Sequence, residues 1–251
     1  MDKMFCFQCQ QTAHNTGCEG NAGVCGKKCG TANAQDALTS ALIGLARAVN
    51  KKAPSEQSDR LVLKGLFTTI TNVNFHEDNV RKLTQEIQTE RNAIAASAEE
   101  YDIRNIWEDH EDIRSLKSLI LFGLRGMAAY AYHALALGYT DRDVLDYFYE
   151  ALAVLGEPSD TSKENSERLL SYVLKTGEVN YRCMELLDKA NTESYGTPVP
   201  TEVPLTIEKG PFIVVSGHDL HDLKLLLEQT KDTGINIYTH SEMLPAHGYP
   251  E

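Results

Sequence analysis

Basic residues are scarce in this sequence: 24 Lys and Arg stand against 36 Asp and Glu, a net charge of −12. So acidic a chain lacks the cationic surface that neutralises phosphates, which argues against nucleic acid and anionic membranes as partners. An uninterrupted hydrophobic run of bilayer length is also missing. Leu116 to Leu137 is nearly long enough, but Lys117, Arg125 and His133 interrupt it, and charge in mid-span is costly. The run is expected to be a buried core helix. No basic segment followed by an apolar one opens the chain, so the expectation is a soluble, cytoplasmic protein. Dinucleotide binding is poorly supported, because no G-x-G-x-x-G follows a strand, and Gly20 to Lys27 only narrowly misses the P-loop pattern. Internal repeats and low-complexity segments are absent. Cysteine is almost absent beyond residue 29, where Cys183 alone remains; on an amphipathic helix it is expected to be a buried thiol.

Five of the six cysteines are crowded into Met4 to Gly30. Cys6 and Cys9 form a C-x-x-C pair, Cys18 and Cys25 follow, and Cys29 lies one helical turn further on. A C-x-x-C turn points two sulfurs at one centre, and the glycine-rich remainder is able to bring round two more. All-sulfur sites take zinc or iron–sulfur clusters. The gaps of eight residues from Cys9 to Cys18 and six from Cys18 to Cys25 are long for zinc and suit the larger cubane, though this is not the bacterial ferredoxin run. Zinc stays open as an alternative. A disulfide cluster is the weaker one, with no leader segment and a distant sixth cysteine. Cys29 is left open as either a spare thiol near the cluster or a replacement for Cys25 as ligand.

The chain of 251 residues, 42% hydrophobic, allows one or two domains with a sizeable core. Helical periodicity runs over Asn33 to Val49 (Leu38, Leu42, Leu45, Val49), and an apolar run over Leu61 to Ile70. Asn74-x-x-Glu77 resembles a capping box ahead of a stripe of Val80, Leu83, Ile87 and Ile94. The core helix follows, from about Ile113 to Leu137, ended by Gly138. Thr140-x-x-Asp143 is expected to cap a helix with Val144, Phe148, Leu152 and Leu155 on one face. Glu164–Leu174 and Val179–Lys189 make a last helical pair, broken near Gly177. No strand pattern shows before about residue 205. Tyr195 to Pro204, with three prolines, is a boundary. Beyond it Phe212–Val215 suits a buried parallel strand. Asp219 then caps a helix with Leu220, Leu223, Leu226 and Leu227 inward, and Ile235–Tyr238 is a second strand. A single β-α-β unit leaves two edges and both sheet faces open.

The two strand ends carry Ser216-Gly217-His218-Asp219 and Thr239-His240-Ser241-Glu242. Parallel strands present both loops at one sheet edge, where α/β folds place their sites. At a strand spacing of roughly 4.8 Å, His218 and Glu242 are able to reach one metal, and imidazole with carboxylate suits iron; a cap or surface histidine and a solvated loop acid are the plainer alternatives. His240 and His247 are equally available by position. His14, His76, His110, His133 and His221 are taken as structural.

These residues resemble the hybrid-cluster proteins, also called prismane proteins or hydroxylamine reductases. The resemblance rests on Met4-Phe5-Cys6-Phe7-Gln8-Cys9-Gln10-Gln11-Thr12-Ala13, Gly17-Cys18, Val24-Cys25-Gly26-Lys27, Gly126-Met127-Ala128-Ala129-Tyr130-Ala131, Ser216-Gly217-His218-Asp219-Leu220, Leu226-Leu227-Glu228-Gln229-Thr230 and Tyr238 through Pro250. It implies that Cys6, Cys9, Cys18 and Cys25 hold a 4Fe-4S cluster, and that His218 and Glu242 are the first two ligands of a hybrid 4Fe-2O-2S cluster. It implies reduction of hydroxylamine to ammonia, with nitric oxide reduction proposed, and an electron donor that feeds the first cluster. Two departures stand out: the Cys18–Cys25 gap is one residue longer than the family pattern, and Cys29 is extra. Family members are also about twice as long, and no cysteine follows Glu242 to supply the remaining hybrid-cluster ligands. The resemblance therefore implies the N-terminal half of such a protein: a truncation, a shortened reading frame or one piece of a split enzyme completed by a partner chain, inactive on its own. The rival function is an electron-transfer or redox-sensing iron–sulfur module without catalysis; a zinc-stabilised helical interaction protein is a third. The expected architecture is a mainly α helical bundle domain over 1–204 with an N-terminal iron–sulfur loop, followed by the beginning of an α/β, Rossmann-like domain over 205–251.

Overall fold

Residues 29–49 are apolar on almost every face, and a helix of that kind has to be enclosed by others. In a computed structural model of the chain, which describes residues 3–10, 13–49, 53–70, 73–95 and 101–250, this segment is helix α1 (Cys29–Val49). Leu38, Leu42, Ile43, Leu45 and Ala46 on it are fully buried. It packs against α2 (Glu56–Thr68), α3 (Glu77–Ile94), α6 (Arg142–Leu155) and the short strand β1 (Met4–Phe5). Gln11 and Thr12 of the opening motif, and Glu251, lie outside the described residues. The described chain is mostly helical, and it divides into one unit of Met1–Tyr132 with Asp141–Met184 and a second of His133–Thr140 with Glu185–Glu251.

Within the first unit the expected stripes face inward. Val80, Leu83 and Ile87 of α3 are buried, and so are Val144, Phe148, Leu152 and Leu155 of α6; Ile94 is half-exposed. Gly65 in α2 has a packing reason: a Cβ there would lie 2.8 Å from Leu42 Cδ2 and 3.2 Å from Ile87 Cδ1, so its bare Cα sets how closely α2 approaches its neighbours. Helix α5 (Glu111–Ala136) follows the four-residue α4 (Arg104–Trp107) and ends just before Gly138, at φ +86°. By length and composition alone α5 is long and apolar enough to cross a membrane. Here it is a core helix, and its charged interruptions are held by protein. Lys117 Nζ donates to Glu157 O at 3.1 Å and pairs with Asp109 at 3.4 Å, both side chains being buried. Arg125 belongs to the candidate site below.

Four local expectations are corrected. Asn74 does not cap α3: its Oδ1 accepts from His76 N (2.9 Å), and His76 is the N-cap, with Nδ1 accepting from Asn79 N. Asp141 rather than Thr140 caps α6, accepting from Asp143 N and Val144 N, as the better acceptor at that position. A strand does precede residue 205. β1 pairs antiparallel with β2 (Glu19–Gly20), and two-residue strands are too short to show alternation. Finally, α7 (Lys163–Tyr195) is one helix of 33 residues that runs straight through Gly177. A helical glycine costs only about 1 kcal/mol relative to alanine, and the flanking turns are anchored. Tyr147 OH bonds Thr176 Oγ1 at 2.7 Å, and the wholly buried Cys183 thiol meets Met127 O at 3.6 Å. A Cβ at Gly177 would meet nothing within 4 Å. Gly177→Ala is therefore expected to stabilise the chain by about 0.5–1 kcal/mol in denaturant melts; a loss of stability would contradict an uninterrupted α7.

In the second unit β3 (Phe212–Ser216), α8 (Leu220–Thr230) and β4 (Asn236–His240) form a β-α-β unit. Its strands pair in parallel from Phe212↔Asn236 to Ser216↔His240. Asp219 caps α8 by accepting from Asp222 N at 3.0 Å, as its position implied. The expected burial does not follow. Phe212 is 61% and Val214 57% exposed on β3, Leu227 is 49% exposed on α8, and Leu223 alone of the four leucines is buried. One helix covers at most one face of a two-stranded sheet, so the apolar strand keeps an open side.

Candidate metal centre

The cysteine segment is organised by backbone hydrogen bonds before any ligand is considered. The β1–β2 pairing continues as Cys6 N donates to Cys18 O at 3.0 Å, which sets those two residues side by side. From Asn21 to Cys29 the chain closes a compact loop. Gly23 N donates to Lys27 O (2.8 Å), Gly26 N to Gly23 O (2.9 Å) and Cys29 N to Asn21 O (3.0 Å). Cys25 sits in the resulting turn, and Gly26, at φ +86°, lets the chain leave it. Cys18 Sγ accepts a hydrogen bond from Val24 N at 3.5 Å. A Cβ on Gly23 would lie 3.6 Å from Cys18 Sγ and 3.7 Å from Cys25 Sγ, so both sulfurs face the space that this glycine leaves open. Cys29 is the first residue of α1.

Behind the loop lies a buried polar layer that periodicity did not reveal. Arg125 on α5 donates from Nη1 to Phe7 O (3.1 Å) and Gln8 O (3.3 Å), the carbonyls between Cys6 and Cys9, and from Nη2 to Thr39 Oγ1 (3.3 Å). Gln8 Nε2 donates to Asp36 Oδ1 at 2.6 Å. Lys27 is only 1% exposed, and its Nζ donates to Gln35 Oε1 at 2.6 Å. Burial pushes the Cys6 thiol above its ordinary value, against a Gln8 backbone hydrogen bond and the Lys27 ammonium. Burial lowers Lys27, against the pull of Cys6, Cys25 and Cys9. One sign of Arg125 was present in the sequence, as a charge inside an apolar run, and Lys27 stood in the Val24-Cys25-Gly26-Lys27 motif with nothing to mark it as buried; Gln35, Asp36 and Thr39 carried no sign. Phe7 stacks on Trp107 of α4, with ring centroids 4.4 Å apart and planes within 3°.

In the second unit, His218 Nδ1 lies 4.0 Å from Glu242 Oε2, and both side chains are exposed. Parallel pairing of β3 and β4 produces this juxtaposition across the two loops. The rival histidines are engaged elsewhere: His240 Nδ1 with Ser216 Oγ at 3.3 Å, His247 Nε2 with Thr239 Oγ1 at 2.7 Å. His133, taken as structural, sets its ring edge-on to His218 with centroids 5.2 Å apart, and its Nδ1 meets Asp219 Oδ2 at 3.3 Å. That hydrogen bond, against burial, holds Asp219 down at about 2. Among the described residues, no three of His, Cys, Asp and Glu are gathered tightly enough around a point to hold a single ion.

Comparison with known proteins agrees along the chain. The model of the Prismane/CO dehydrogenase family matches residues 4–251. A hydroxylamine reductase of Solidesulfovibrio magneticus is 45% identical over an alignment spanning 99% of this chain and 51% of that protein. Hydroxylamine reductases of Maridesulfovibrio salexigens and Methanocella arvoryzae are each 42% identical, over 99% of this chain and 50% and 51% of theirs. The chain thus spans about half the length of the curated relatives it matches. Because the family match leaves out only the first three residues, this chain belongs to the Prismane/CO dehydrogenase family.

Proposed function

We propose that this chain is part of an iron–sulfur oxidoreductase of the hydroxylamine reductase type, which reduces hydroxylamine to ammonia and takes nitric oxide as a further N–O substrate. It works in the cytoplasm with a redox protein as electron donor. Residues 1–204 are its helical, cluster-bearing domain, and 205–251 begin its α/β, Rossmann-like domain. The observation that carries this reading is the open cradle at Gly23, with Cys18 and Cys25 sulfurs on its rim and Cys6 laced to Cys18 by a backbone bond. These donors fit a 4Fe-4S cluster. All four are thiols, and a cubane presents its irons at separate corners, so its ligands need not converge on one point. Cys6, Cys9, Cys18 and Cys25 would hold it. His218 and Glu242 would be two ligands of a second, hybrid cluster, whose other ligands come from outside the residues of this chain. When bound, the clusters supply electrons and a Lewis-acidic iron for cleaving the N–O bond.

The chain's own part is positional. The β1–β2 ladder fixes Cys6 against Cys18, the Val24 N–H holds the Cys18 sulfur, and Gly23 keeps the space between Cys18 and Cys25 clear. In the second unit the parallel strand pair holds an imidazole nitrogen and a carboxylate oxygen at one sheet edge.

The test is anaerobic reconstitution of the purified chain with iron and sulfide. About four irons and four sulfides per chain, with a paramagnetic signal on reduction, are expected, and no hydroxylamine turnover by the chain alone. One zinc per chain without sulfide would overturn the cluster assignment. Robust turnover by the isolated chain would overturn the need for further ligands.

A further inference from the structure

Two cations are buried against the cysteine loop, and the iron–sulfur reading gives them a role it does not itself contain. Arg125 is 3% exposed and Lys27 1% exposed. A buried charge is expensive unless it is paired, and the counter-charge around these two is thin. The acid facing both is Asp36, whose carboxyl burial pushes up to about 7, so near neutrality it is only partly ionised. Arg125 also repels Lys27, and among the described residues the remaining groups that act on the two cations are the thiols: Cys6, Cys25 and Cys9 on Lys27, and Cys6 and Cys9 on Arg125. As neutral thiols they balance nothing. As ligands of an anionic cluster they carry the missing negative charge.

The geometry is specific as well. Arg125 Nη1 reaches the carbonyls of both residues inside the C-x-x-C turn, and its Nε is buried without a hydrogen-bond partner among the described residues. Lys27, two residues after Cys25, is tied through Gln35, whose Nε2 donates to Thr68 O at 2.9 Å. Neither cation is a floppy surface chain.

We propose that Lys27 and Arg125 are positioning residues for the N-terminal cluster: they fix the cysteine loop from behind, and their buried positive charge raises the cluster's reduction potential. Reduction adds one negative charge to the cluster, and fixed cations nearby favour that form. Net charge at the site is one of the levers that set iron–sulfur potentials. The proposal rests on the iron–sulfur reading above.

The test is a redox titration, monitored by paramagnetic resonance, of the anaerobically reconstituted full chain and of Arg125→Met, Arg125→Lys and Lys27→Met. Each methionine variant that loads iron is expected to show, at fixed ambient potential, a reduced-to-oxidised ratio about tenfold below the unmodified chain. That is the order of effect of one charge at an effective dielectric of about 20, and it corresponds to about 59 mV for a one-electron couple. Arg125→Lys keeps the charge and is expected within about twofold of the unmodified chain, the remainder left by a small displacement of that charge. A loaded methionine variant whose ratio does not fall overturns the role of that residue. An equal fall in Arg125→Lys assigns the effect to lost hydrogen bonds and overturns the role of charge. Should Arg125→Met fail to fold, Lys27→Met decides. An unmodified chain that takes up no cubane instead overturns the iron–sulfur reading, a distinct signature.

Discussion

Replacing Cys18 with serine is expected to weaken cluster uptake by more than about tenfold, because changes even to residues behind metal ligands cost 10–100-fold. Reconstituted Cys18→Ser should carry little iron and sulfide and no cubane signal, with its helical circular dichroism unchanged. Cys18 is the most informative position because it joins two parts of the loop: its carbonyl accepts from Cys6 N, and its sulfur accepts from Val24 N while facing Cys25 across Gly23. A serine oxygen is a harder donor and a poorer match for iron in a sulfur-ligated cluster. Cys29→Ser is the control. Cys29 opens α1, its backbone N–H already occupied by Asn21 O, and its loss should leave loading near that of the unmodified chain. Full loading of Cys18→Ser together with loss in Cys29→Ser would reassign the ligand set.

Asp36→Asn is expected to make the cluster-free protein more stable at pH 8 by as much as roughly 4 kcal/mol, and to change little near pH 4. Burial, opposed by Arg125, the Gln8 amide and Lys27, moves the Asp36 carboxyl from 3.8 to about 7. The folded value lies above the unfolded one, so the native state binds more protons between them and stability falls as pH rises. The loss begins near pH 4, grows to about pH 7 and is level beyond. Over that window each pH step of one costs the native state about 1.4 kcal/mol. Asparagine keeps an oxygen for Gln8 Nε2 and has no charge to bury. Denaturant melts of both proteins at several pH values read the effect directly. Parallel profiles for the two would show that Asp36 ionises in the fold as easily as in the unfolded chain.

Much of the helical architecture was legible because its signal is local. Val144, Phe148, Leu152 and Leu155 recur at helical spacing and all four are buried; Asp219 precedes α8 and caps it. Where competing groups sat one or two residues apart, as Thr140 and Asp141 or Asn74 and His76, acceptor strength and turn geometry chose, and spacing did not. Gly177 read as a break, since its cost is visible in sequence and the anchoring at Thr176 and Cys183 is not. At the candidate site, strand order left His240 and His247 as available as His218, the resemblance named His218 and Glu242, and only the meeting of the two loop ends at one sheet edge followed from topology. The layer of Gln8, Lys27, Gln35, Asp36 and Arg125 did not. Its members are brought together by pairings such as Gln8 with Asp36, 28 positions apart, and Arg125 with Phe7, 118 apart. No periodicity encodes contacts of that range.

The ring stack between Phe7 and Trp107 has a practical corollary. Trp107 is the only tryptophan in the chain, and Phe7 lies inside the C-x-x-C turn. Indole fluorescence from this protein therefore originates at a single place, in van der Waals contact with the cysteine loop. An iron–sulfur chromophore held by that loop would drain excited-state energy at so short a range, so its arrival and departure would be written into the emission of the unlabelled chain.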